Sequence, residues 1–191
     1  VNLQANSANM KIEFDCKNMV ASPAVDLKRI ALHTTSNIIN SDLDIQDTEN
    51  NVKSGGNALA RYISKTVTLA PGFDAGDLRV YVTAIKPPEA NVQIYYKVRN
   101  SYDTEDISNK RWTRMALVPG PVLDSVALNP IEYEYRPSLT SNNIVYSTSA
   151  ATYSTFNEYK IKIVTSSSST SYLKIPYVYD MRAIALPGDP A

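Results

Sequence analysis

Three strand-length runs between Tyr62 and Val98 constrain this chain more than any other feature. They read Tyr62-Ile63-Ser64-Lys65-Thr66-Val67-Thr68-Leu69, Leu78-Arg79-Val80-Tyr81-Val82-Thr83-Ala84 and Val92-Gln93-Ile94-Tyr95-Tyr96-Lys97-Val98. β-Branched and aromatic residues dominate, and apolar positions alternate with polar ones, so each run is expected to bury one face and wet the other. Turn-forming segments separate them, Pro71 to Asp77 and Lys86 to Asn91. The connection from Ile85 to Asn91 has the length of a hairpin loop, stiffened by Pro87-Pro88. The pattern specifies antiparallel β.

The rest of the chain extends that reading. Met10, Ile12 and Phe14 alternate with charges and read as a strand, and Pro23 favours an edge or an extended connector. Residues 27–39 fit a helix face through Leu27, Ile30 and Thr34 or a strand through Ile30, Leu32 and Thr34; the strand is taken. Ser41 to Asn57 carries Asp42, Asp44, Asp47 and Glu49 and ends in Gly55-Gly56, a composition that cannot bury enough apolar area to fold alone. It reads as a linker or long loop. Further strands are expected at Arg111–Met115, Ile131–Tyr135, Tyr159–Val164 and within Lys174–Leu186. The expected fold is all-β, an antiparallel β-sandwich of jelly-roll type with an extended N-terminal arm. Residues 1–57 form the arm and linker, 58–187 the sandwich and 188–191 a tail.

Composition narrows the function classes. Nineteen basic and nineteen acidic side chains cancel in 191 residues, so the electrostatic footprint of a nucleic-acid binder is missing. No run approaches a membrane span, and no secretion signal is apparent. Cys16 is the sole cysteine and no Asn-x-Ser/Thr acceptor occurs, which fits assembly in a reducing cytosol. The chain opens on Val1, and a segment of a longer polypeptide is expected. Thirteen tyrosines against three phenylalanines and one tryptophan suit sheet faces that are half buried or covered by a partner, although tyrosine also favours strands for its own sake.

Catalytic equipment is sparse. His33 is the only histidine, and it sits among Leu32, Thr34 and Thr35 without a flanking motif. A structural role suits it better than catalysis. Cys16 reads as a small buried hydrophobe. The carboxylates at 42, 44, 47 and 49, and those of Asp103, Glu105 and Asp106, lack the glycine and terminal bidentate glutamate of a calcium loop. Solvated acidic loops are the expectation. Gly55-Gly56 lacks the Lys-Ser/Thr of a phosphate cradle and reads as a flexible joint. Trp112, between Arg111 and Arg114, could stack on a sugar or a base, but core packing is the commoner outcome. No catalytic residue, cofactor or metal is assigned.

Three groups of residues together carry a family resemblance. One is Ser22-Pro23-Ala24-Val25-Asp26-Leu27-Lys28-Arg29. The second joins Tyr62–Leu69, Gly72–Ala84 and Tyr95–Val98; the third joins Tyr159–Val164 and Pro176–Leu186. In this order the chain resembles the carboxy-terminal portion of large virion structural proteins of contractile-tailed bacteriophages, of the T4-like, cyanobacterium-infecting kind. The resemblance implies a non-enzymatic baseplate or tail-fibre-associated component, located in the virion and assembled in the bacterial host cytoplasm. It implies other virion proteins as partners; a homo-oligomer is also expected.

Alternation leaves Arg79, Tyr81, Thr83, Gln93, Tyr95 and Lys97 on the second face of their strands. Arg79, Tyr81, Tyr95, Lys97 and Trp112 are therefore the expected partner-binding residues. A carbohydrate-binding module is the alternative function, with Trp112, Tyr102 and Tyr95 as its sugar-stacking aromatics. A polysaccharide hydrolase or lyase would need paired carboxylates in a cleft, and nothing selects a pair.

Overall fold

The computed structural model describes residues 40–41, 48–120, 129–141, 143–167 and 175–188. All belong to one compact unit that begins at Ser36. The expectations for Met10–Phe14, Cys16, Pro23, residues 27–39 with His33, and the carboxylates at 42, 44 and 47 lie outside the described residues.

Twelve strands form among the described residues. In chain order they are β1 (Asn40–Ser41), β2 (Arg61–Ile63), β3 (Val67–Thr68), β4 (Asp77–Ile85), β5 (Ala90–Arg99) and β6 (Thr113–Arg114). Then come β7 (Ala116–Leu117), β8 (Ile131–Arg136), β9 (Tyr146–Ser147), β10 (Thr152–Tyr153), β11 (Glu158–Ser167) and β12 (Tyr177–Leu186). The fold is all-β, and every strand pair except β1–β11 is antiparallel.

Two sheets form a sandwich-like pair of layers. In the first, β5 and β11 pair along their full lengths, from Arg99 opposite Glu158 to Ala90 opposite Ser167. The far edge of β11 is covered by β3, β2 and β1 in turn, which leaves little free backbone there. The second sheet has the order β12-β4-β8-β7. Leu78, Val80, Val82 and Ala84 of β4 are fully buried and pack with Val92, Ile94, Tyr96, Ile161 and Ile163 of the first sheet. Each buried aliphatic side chain contributes roughly 1.5–3 kcal/mol. The Tyr135 hydroxyl crosses this core and donates to the Val92 carbonyl (2.9 Å), tying β8 to β5.

The connection between β4 and β5 departs from expectation. Ile85 to Asn91 is an arch between the two sheets, because β4 pairs with β12 and β8 while β5 pairs with β11 and β6. A hairpin would set the apolar faces of β4 and β5 side by side; the arch sets them face to face across the core. The turn is closed by Ala90 N–H donating to Pro87 O (3.0 Å), with Glu89 at φ +69°.

Candidate functional site

The outer face of the first sheet, expected to be open, is covered. Residues 48–58 lie across β5 and β11, and Tyr95, Trp112, Val164 and Ala58 form a second, smaller core there with Val52 and Ile63 against it. Backbone bonds hold the segment down: Asn51 N–H donates to Trp112 O (2.8 Å) and Trp112 N–H to Val52 O (3.0 Å). The indole Nε1 donates to Ser54 O (2.9 Å). The stretch expected as arm and linker is therefore, from 48 to 57, part of the packed unit.

At the centre of this second core stands an ion pair with both side chains at 0% exposure, Glu49 and Lys162. Lys162 Nζ donates to Glu49 Oε2 (2.7 Å), Glu49 O (3.1 Å) and Gly55 O (3.5 Å), so each of its three protons has an acceptor. The other carboxylate oxygen, Glu49 Oε1, accepts from the N–H groups of Asn57 (2.5 Å) and Ala58 (2.6 Å). The ammonium also lies 4.6 Å from the Tyr95 ring centre and 5.1 Å from that of Trp112. Gly56 makes this possible. Its φ is +88°, and a Cβ there would overlap the Glu49 carboxylate, so Gly55-Gly56 is a fitted turn and not a flexible joint.

Lys97 occupies the neighbouring position. Its Nζ donates to Lys53 O (2.7 Å) and Ser108 O (3.0 Å), and lies 4.7 Å from the Trp112 ring centre. Burial pushes its ammonium down to about 8, and the charges of Lys160 and Lys162 act in the same direction. Burial also lowers Lys162, against which Glu49 pulls it back up. The Tyr95 hydroxyl is pushed up to about 12 by burial and donates to Gln93 Oε1 (2.6 Å).

These contacts correct the expected partner face. Tyr95, Lys97, Gln93 and Trp112 are all buried beneath residues 48–58 and the loop before Trp112, and offer no surface to a partner. The alternation rule failed there because β5 and β11 have a core on each side. Arg79 and Tyr81 do lie on an outer face, that of the second sheet, each half-buried. Arg79 is held by Asp77 (3.3 Å) and Tyr81 is covered by the Arg182 guanidinium, 4.9 Å from its ring centre. The five expected residues thus divide between opposite layers.

The acidic cluster at 103–106 is a structural latch. Asp103 and Glu105 converge on Lys110 (2.5 and 2.8 Å), and Asp103 also accepts from the Tyr146 hydroxyl (2.9 Å). Burial works to raise the Asp103 pKa, but the bonds from Lys110, the Glu105 N–H and Tyr146 bring it below its ordinary value. Asp106 accepts from Ser108 N–H (2.7 Å) and caps the short 3-10 turn Ile107–Asn109. Among the described residues, no three His, Cys, Asp or Glu side chains are placed to share a metal, and no helix is long and apolar enough to cross a membrane.

A cleft lined by Arg61, Tyr62, Ile163, Tyr179, Asp180 and Met181 separates β2 from β12. Among the described residues, six of the eleven exposed large apolar residues lie in or just before β2, β3 and β12: Leu59, Tyr62, Val67, Tyr177, Tyr179 and Ile184. Tyr62 and Tyr179 both line that cleft. Sequence reasoning missed it, as it missed Glu49 and Lys162. The only hint was a lysine inside the otherwise apolar run Ile161-Lys162-Ile163-Val164. Comparison with known proteins adds no identity: no family model, curated protein or solved structure matches the chain.

Proposed function

We propose that this chain is a structural component of a phage virion, in the baseplate or tail, and that it works by protein–protein assembly and not as an enzyme. The observation that carries this reading is the pair of exposed tyrosines, Tyr62 and Tyr179, that line the cleft between β2 and β12. Exposed rings lining a groove suit contact with another protein surface. The interior polar groups support it too. Glu49, Lys162, Asp103 and Lys110 are fully engaged in holding loops onto the sheets, which makes a rigid block. Zero net charge suits tight packing against neighbouring subunits.

The jelly-roll type belongs to the same reading. Its support is the nested pairing of β4 with β12 and of β5 with β11, as in one long ribbon rolled across two sheets. The proposed N-terminal arm lies ahead of the described residues, since 48–57 are packed. Neighbouring virion proteins and further copies of the chain are the proposed partners. A glycan-binding module has less support: of its three candidate aromatics, Tyr95 and Trp112 are buried, and only Tyr102 stands in solvent, at 83% exposure.

The test is direct. Mass spectrometry of gradient-purified phage particles should find this chain, or a longer protein containing it, in a fixed copy number per particle. Its absence from intact particles would overturn the proposal.

A further inference from the structure

The two sheets differ in how their long strands end. Beyond β11 lie three short strands, whereas β12, ten residues long, pairs among the described residues with β4 alone. Among the described residues no strand pairs with its outer edge, whose backbone donors and acceptors are a template onto which another strand adds. Its sequence, Tyr-Val-Tyr-Asp-Met-Arg-Ala-Ile-Ala-Leu, holds no proline to prevent this.

We infer that β12 pairs with β12 of a second copy of this chain, antiparallel about a two-fold axis at Met181. The inference rests on the assembly reading and names its partner. The register follows from self-complementarity. With Met181 opposite itself, Asp180 of each copy faces Arg182 of the other, and this happens twice. The bulge at Tyr179 puts Tyr177 and Val178 out of phase with Ala185 and Ile184, so the register rests on the two Asp180–Arg182 pairs that flank Met181. Moving the centre by one residue sets Arg182 opposite Arg182, or Asp180 opposite Asp180. Parallel pairing in register does both.

The side chains are placed for this. Asp180 and Arg182 lie opposite Thr83 and Tyr81 of β4 and share the outer face of the sheet, while Met181 lies opposite buried Val82 and points inward. Arg182 contacts Glu132 (3.2 Å) yet its side chain is 57% exposed, so it keeps a free side for a carboxylate. Asp180 is exposed and has no ion pair among the described residues. The register shift between Val178 and Asp180 makes Tyr179 the bulged residue, 59% exposed, so the regular pairing with the second copy is centred on Asp180, Met181 and Arg182. The isologous contact joins two four-stranded sheets into one and covers the apolar residues of β12.

Sedimentation velocity on the full chain over a wide concentration range tests this. The expected result is a dimer that dissociates on dilution. Asp180→Arg alone and Arg182→Asp alone should each abolish it, because each faces like charges across the axis. Mixing the two variant chains should restore a dimer containing one of each, since every facing pair is then of opposite sign; this recovery separates lost pairing from misfolding. A chain that stays monomeric throughout, or a dimer indifferent to both substitutions, or two monomeric variants that do not associate when mixed, would overturn the inference. Particle mass spectrometry answers separately for the virion role, so a dimer absent from particles, or a particle protein that is monomeric in solution, tells the two apart.

Discussion

Lys162 Nζ lies 2.7 Å from Glu49 Oε2, with both side chains fully buried and the two residues 113 positions apart in the chain. This pair clamps a polar, glycine-bearing segment onto the back of the first sheet. Burying two charges costs several kcal/mol, and the pair is tolerated because two backbone N–H groups, two carbonyls and two aromatic rings surround it. Its worth lies in what happens when one partner goes.

Glu49→Gln or Lys162→Met alone should each destabilise the fold by about 3–5 kcal/mol, since each strands a charge in the interior. The double variant should be more stable than the sum of the two losses implies, with a coupling of about 1–3 kcal/mol. Urea denaturation of the four proteins measures it. Additive losses would show that the pair is not coupled in the way its geometry indicates.

Gly56→Ala should cost more than about 1 kcal/mol, because φ +88° is strained for alanine and the new methyl meets the Glu49 carboxylate. Gly55→Ala should cost less, since its methyl meets only the ends of two side chains, Ile63 at 3.3 Å and Arg61 at 3.6 Å. Thermal melts of the two variants give the order directly.

Stability should rise and then fall with alkaline pH. Lys97 has a folded pKa of about 8 against an ordinary 10.5, so between these values the unfolded chain binds more protons and stability increases with pH. Tyr95 and Tyr96 are raised from 10 to about 12 by burial; above pH 10 the folded chain keeps protons that the unfolded chain releases, and stability declines. Urea midpoints measured between about pH 7 and 11 should peak near 10. Lys97→Met should flatten the rising limb, which is worth at most about 3 kcal/mol.

Much of the fold was legible because strand alternation is a local property. β4 buries one side in strict alternation, as Leu78-Arg79-Val80-Tyr81-Val82-Thr83-Ala84 indicates, and β8 and β12 fall within the stretches that the same signal marks. The site was less legible. Arg79 and Tyr81 were placed on an outer face and are there, but Tyr95 and Lys97 obey the same alternation and are buried. Nothing within β5 states that a second layer will lie across it.

The amino-acid sequence by itself determined the class: β-branched and aromatic residues at period two, with proline and glycine between them, leave antiparallel sheets as the way to bury one face of each strand. Only the tertiary structure decided which strands meet, and so which polar residues are inside. Ile85 to Asn91 could close a hairpin or arch between layers, and the partners of β4 and β5 chose the arch. Glu49 and Lys162 look like surface charges until residues 48–58 fold over the sheet, because burial of a charge depends on a partner far away in the chain. The edge position of β12 among the described strands has the same origin: an edge is a fact about neighbours, and a strand's own residues do not record whether one is there.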